Sequence, residues 1–191
     1  NSTATIYAGN GYMLYYTGDN VNGLYNKQNR VGGVYADPDA ATVAAVGTLN
    51  QGNVPVKLWW NNSTTLSAAK TGYNLVGNPY AATIDWDGIT SGKIIGSNVG
   101  TKIYVFNYSS KNYGTYQPDL GSSMGSNNAS RYIASGQGFF VVAGAGGTLT
   151  FTESAKTTTQ PTSLGTSYLL MGMPAQVEKK PQVLRIKLAK D

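Results

Sequence analysis

The chain has 191 residues, a length that suits one large domain better than two small ones, and its 41% hydrophobic content supplies a real core. Only 12% of the residues are charged, about half the usual share of roughly 25%, so its surface has to be built from Asn, Ser, Thr, Gln, Gly and Tyr; with 11% aromatics this is no disordered chain. The net charge of +5 is too small and too unevenly spread to be a nucleic-acid footprint, and the absence of Cys and His removes disulfides, thiolate metal sites, the commonest metal ligand and the usual general base.

In chain order, residues 3–8 form a first predicted strand and Gly9-Asn10-Gly11 a hairpin-type turn. Tyr12 to Tyr16 form a second, strongly apolar strand with a central place in a sheet. Residues 24–41 are polar and irregular, an exposed loop suited to contact with a partner. Thr42–Leu49 and Val54–Trp60 are predicted strands around the turn 50–53, and Pro55, which cannot donate to a ladder, puts the second of them at an edge or a bulge. Trp59 and Trp60 are adjacent: within a strand one faces the core and the other the outside, unless both sit at the strand end. Leu66–Lys70 suit a short turn of helix.

Residues 73–76 alternate as a strand does, Gly77-Asn78-Pro79 stops it, and Ile84 and Trp86 then face one way while Asp85 and Asp87 face the other. Residues 89–100 are Gly/Ser-rich, with Ile94-Ile95 their only apolar pair. Residues 101–108 are a clear strand, Tyr113–Tyr116 its short hairpin partner, and 117–128 a second polar loop. Arg131–Ala134, Gly138–Ala143 and Thr148–Thr152 are three further strands. Residues 155–180 read as a connector containing the apolar run Tyr168–Met171, ahead of a last strand, Val183–Leu188. In that strand Leu184, Ile186 and Leu188 share one face and Arg185 and Lys187 the other; such a half-buried strand needs a sheet neighbour, in this domain, in a continuation of the chain or in a neighbouring subunit. It also lies within residues 178–191, which carry +3 of the net charge, best read as a solvated strand face or tail.

No long segment of helical period and no membrane-span-length apolar run occurs. At least ten short strands divided by Gly/Asn/Ser turns predict an all-β fold over residues 1–191: an antiparallel β-sandwich or jelly roll with long polar loops and little helix.

Three stretches carry a family resemblance. Gly72-Tyr73-Asn74-Leu75-Val76-Gly77-Asn78-Pro79-Tyr80, followed by Ile84-Asp85-Trp86-Asp87, resembles a segment that recurs in large secreted surface proteins of Bacteroidota exported by the type IX route. Gly47–Leu58 upstream and Ser135–Val142 downstream resemble that family's flanking strands in the same order. The resemblance spans about residues 11–190 and implies an extracellular, β-rich structural module without catalytic residues, in a longer chain that runs on past Asp191. Asn1 in place of an initiator Met points the same way.

Among candidate chemical groups, Asp85 and Asp87 would lie about 7 Å apart on one strand face. Three roles stay open for them: a catalytic acid pair, a Ca²⁺ site, or turn capping, which Asp-x-Asp-Gly favours. Asp19 and the pair Asp37 and Asp39 are weaker oxygen donors for Ca²⁺; otherwise no cofactor is expected. No serine has a His to activate it. Aromatic residues exceed what one core needs, which singles out Trp59, Trp60, Tyr113 and Tyr116 as ligand-binding candidates. The expected function is therefore a non-catalytic structural or adhesive module of a secreted cell-surface protein, such as a fibre subunit that pairs with copies of itself or with neighbouring domains through Leu184, Ile186 and Leu188. The alternative is a carbohydrate-binding module.

Overall fold

The computed structural model describes residues 7–13, 47–61, 72–107, 110–118 and 125–159. Outside these lie most of the two N-terminal strands, the loop 24–41, residues 42–46, the turn 66–70, Asp19, Asp37, Asp39, the connector from 160 onward and the last strand with Leu184, Ile186 and Leu188.

The described part is all-β and antiparallel, with nine strands: β1 (Val54–Leu58), β2 (Tyr73–Gly77), β3 (Ile84–Asp85), β4 (Ile94–Gly96), β5 (Ile103–Asn107), β6 (Asn112–Tyr116), β7 (Tyr132–Ile133), β8 (Gly138–Val142) and β9 (Gly147–Phe151). They form a three-stranded sheet in the order β1-β9-β4, a four-stranded sheet in the order β2-β8-β5-β6, and a two-stranded pair β3-β7. Three single-turn 3₁₀ segments, Trp86–Ile89, Ser126–Asn128 and Glu153–Ala155, are the only helical pieces among the described residues.

The sheets share one interior, as in a sandwich. Val54, Val56 and Leu58 of β1, Leu149 and Phe151 of β9 and Ile94 of β4 meet Val76, Phe139, Val141 and Ile103 of the larger sheet, with Ile84 and Ile133 from the short pair. Alternation produces this: β1 alternates buried and exposed residues throughout, and in β8 the buried Phe139 and Val141 alternate with half-buried Phe140 and Val142. Trp86 is fully buried against Phe139, ring centroids 5.3 Å apart, and its Nε1–H donates to the Thr101 carbonyl at 2.6 Å.

Several expectations are adjusted. Residues 47–50 are not a strand, and Leu49, Tyr12 and Met13 are exposed, so the described start of the predicted second strand is not central. Asn10 instead bridges Val76, placing residues 9–11 along the open side of β2. The Gly/Ser-rich stretch holds a strand, β4, which takes the far side of β9. Among the described residues β1 is the outer strand of its sheet, the edge position that Pro55 suggested.

The Gly77-Asn78-Pro79 stop is a junction rather than a simple break. The buried Asn78 side chain donates from Nδ2 to the carbonyls of Ala82, Ile133 and Ala134 at 2.7, 3.0 and 3.1 Å, and its Oδ1 accepts from the Tyr80 N–H at 3.0 Å. One amide thus ties the end of β2 to the end of β7. Tyr80, buried just beyond, donates its hydroxyl to the Gly52 and Phe151 carbonyls and so links the two larger sheets.

Candidate functional site

The outward face of the four-stranded sheet is aromatic. In β2, β8, β5 and β6 the inward positions are filled by Val76, Phe139, Val141, Ile103 and Tyr116, which leaves Tyr73, Phe140, Tyr104, Phe106 and Tyr113 on the opposite side. Cross-strand register brings these five rings together. Tyr73 lies 5.5 Å from Tyr104 and 6.5 Å from Phe140; Tyr113 lies 5.8 Å from Phe140 and 5.3 Å from Phe106, centroid to centroid. The interplanar angles, 58° to 73°, make each contact tilted or edge-to-face, the arrangement the ring quadrupole favours. The strip runs without a gap from β2 to β6, yet Tyr73 keeps 38% and Tyr113 41% of its surface in solvent.

Its electrostatics are mild. The Tyr73 phenol is raised above its ordinary range, first by a hydrogen bond with the Tyr104 hydroxyl and then by partial burial, while Lys102 pulls it down. The strip thus offers ring surface, hydroxyls and the flanking ammonium of Lys102, with no carboxylate among its five residues.

Trp59 and Trp60 lie just past β1, both exposed at 51% and 37%, so the strand-end alternative holds for the pair. The backbone of Trp59 is clamped by an amide: its N–H donates to Asn74 Oδ1 at 2.6 Å, and Asn74 Nδ2 donates to the Trp59 carbonyl at 2.9 Å and the Gly72 carbonyl at 2.8 Å. Both tryptophans therefore sit at the Tyr73 end of β2. Gly72 is required there: with φ +83°, a Cβ on it would fall 2.0 Å from the Ala143 carbonyl oxygen and 3.3 Å from Trp60 Cδ1.

Of the four aromatic candidates, Tyr116 is misplaced. It is buried, 3% exposed, and its hydroxyl donates to Asp87 Oδ1 at 2.6 Å, so it is a core residue and not a ligand contact. Tyr113 and Tyr116 are three apart on one strand and must face opposite sides, a signal the sequence contained. Sequence reasoning missed Tyr73, Tyr104, Phe106 and Phe140 as site residues; each strand showed the alternation, but their meeting depends on the strand order β2-β8-β5-β6.

Asp85 and Asp87 do not share a strand face as expected. β3 ends at Asp85, whose Oδ1 accepts from the Asp87 N–H at 3.1 Å and caps the following 3₁₀ turn. Arg131 fills the space between the two carboxylates: Nε donates to Asp85 Oδ1 at 2.8 Å, Nη2 to Asp85 Oδ2 at 2.5 Å, and Nη1 meets Asp87 Oδ2 at 2.9 Å. The cation of this cluster is a guanidinium, and among the described residues no three His, Cys, Asp or Glu side chains gather as metal ligands. Asp85 caps the turn, as the capping reading has it, while the Asp87 carboxylate is taken up by Arg131 and the Tyr116 hydroxyl. Among the described residues, no helix is long and apolar enough to cross a membrane.

No family model matches the chain, and no curated protein and no solved structure matches it significantly.

Proposed function

We propose that this chain is a non-catalytic adhesive or structural module of a secreted cell-surface protein, of the type IX-exported kind its three motifs resemble, and that the outward face of the four-stranded sheet is its recognition surface. The observation that carries this reading is the continuous strip Tyr73-Phe140-Tyr104-Tyr113-Phe106, solvent-facing on an otherwise well-packed sandwich. Exposed aromatic clusters of this kind mark interaction sites, because rings bring large contact area at little entropic cost. The low charge favours the same reading, since such a surface is not specialised for nucleic acid or acidic partners.

Antibody labelling of intact cells of the source organism tests it. Labelling before permeabilisation is the expected result; antigen found only after the cells are opened would overturn the surface assignment. Electron microscopy and light scattering on the purified chain then decide between a fibre subunit, with copies of itself as partners, and a monomeric module flanked by other domains.

A further inference from the structure

We infer that the aromatic strip binds a single neutral polysaccharide chain laid across the strands from β2 to β6, in contact with Tyr73, Phe140 and Tyr113; this rests on the adhesive reading above. Three observations select that occupant.

The first is size. Three inter-strand steps of about 4.8 Å make the strip about 14 Å long and only one or two side chains wide. The outward positions of the four strands number ten, two of them the glycines Gly77 and Gly138. A stable protein interface engages about 20–30 residues on each side, so the strip is too narrow for a second copy or a globular partner and suits a thread-like ligand.

The second is charge. The strip holds no carboxylate, and its flanking cations are two isolated lysines, Lys102 just before β5 and the exposed Lys111 in the β5–β6 turn. Single-stranded nucleic acid also stacks on rings, but it requires a groove of cations along its phosphates. A neutral glycan needs none: the C–H faces of its sugars lie on the rings, and its hydroxyls meet the phenols of Tyr73, Tyr104 and Tyr113.

The third is ring tilt. Neighbouring rings stand 58° to 73° apart, so the surface is corrugated and cannot lie flush on a crystalline polymer. It suits a soluble chain whose successive sugars turn relative to one another.

The test is affinity electrophoresis of the full 191-residue chain in native gels cast with hydroxyethyl cellulose, xyloglucan or galactomannan as neutral probes, alongside alginate as an anionic one. Retardation by at least one neutral polysaccharide, weakened about tenfold or more by Tyr73→Ala with Tyr113→Ala and unchanged by Tyr7→Ala, which removes an exposed phenol outside the strip, is the expected result. Nitration footprinting of the native chain supplies a readout that needs no variant to fold: the bound polysaccharide should shield Tyr73 and Tyr113 and leave Tyr7 reactive. No retardation by any neutral probe, unshielded Tyr73 and Tyr113, binding to crystalline cellulose alone, retention by poly(dT) instead, or a dimer formed through this face would each overturn the inference. Because surface labelling of cells does not depend on ligand, a failure here leaves that result standing, and a failure there leaves this one readable.

Discussion

Arg131 grips Asp85 with two parallel contacts, Nε to Oδ1 and Nη2 to Oδ2, across 46 residues of chain. The same guanidinium reaches Asp87, so one planar cation holds the end of β3 and the turn after it against β7. Its side chain is 28% exposed, and a forked geometry in that setting outweighs an ordinary surface pair. Arg131→Ala should destabilise the fold by about 1–2 kcal/mol, leaving two like charges side by side. Arg131→Lys should recover less than half, because an ammonium cannot fork. Urea denaturation midpoints at low and moderate salt would check this; equal stability of Arg131→Ala and the native chain would refute it.

Two buried phenols make the fold sensitive to alkali. Burial and then the Asp87 carboxylate, which accepts its proton, push Tyr116 well above the ordinary phenol range; burial and then the charge on Glu153 raise Tyr80. Below a pH of about 10 each is protonated both folded and unfolded, and neither makes stability depend on pH. Above that point the unfolded chain releases protons that the folded chain retains, so stability falls as pH rises, by up to about 1.4 kcal/mol per unit for each such phenol. Guanidinium melts from pH 8 to 11.5 should be flat at first and then slope down, and Tyr116→Phe should lessen the slope. A slope unchanged in Tyr116→Phe would show that this hydroxyl is not the group responsible.

The strands were legible as short runs rich in β-branched and aromatic residues, as in β1, β2, β5 and β8, and the Gly/Asn turns between them marked an antiparallel fold. β4 was not, since Ile94-Ile95-Gly96 is too short to show a period and exists because β9 supplies a partner some 55 residues later. Arg131 was likewise invisible as the partner of Asp85, because only the β3–β7 register brings them together. The aromatic strip was half visible. Composition showed a surplus of rings and period 2 separates Tyr113 from Tyr116, but which rings meet across the strands depends on the sheet order, and that hid Tyr73, Tyr104, Phe106 and Phe140.

Asn78 is the single side chain whose removal should hurt most for its size. Three carbonyls and one N–H depend on its amide within a buried junction. Asn78→Ala would take this partner from all four groups, of which the Ala134 carbonyl keeps the Gln137 N–H, a cost of about 2–4 kcal/mol. Asn78→Asp should be worse, because a carboxylate would then face three carbonyl oxygens. Thermal melts should rank the native chain above Asn78→Ala and that above Asn78→Asp; an Asp variant as stable as the native chain would contradict the assigned amide orientation.

The sheet edges bear on whether this module assembles by strand addition. On β6 the Tyr113 N–H is taken by Asn112 Oδ1 and the Thr115 N–H by Ser126 Oγ; on β2 residues 9–11 occupy the open side. β1 is guarded differently: Pro55 has no N–H to offer, and both it and Lys57 are exposed, the pairing of proline and charge that discourages edge-to-edge contact. Replacing both, Pro55→Val with Lys57→Val, should leave the interior residues Val54, Val56 and Leu58 in place and open a β-branched apolar edge with a free donor. Light scattering of that variant should grow faster than that of the native chain while circular dichroism stays β-rich. Equal scattering would mean that this edge is shielded by something other than its own side chains.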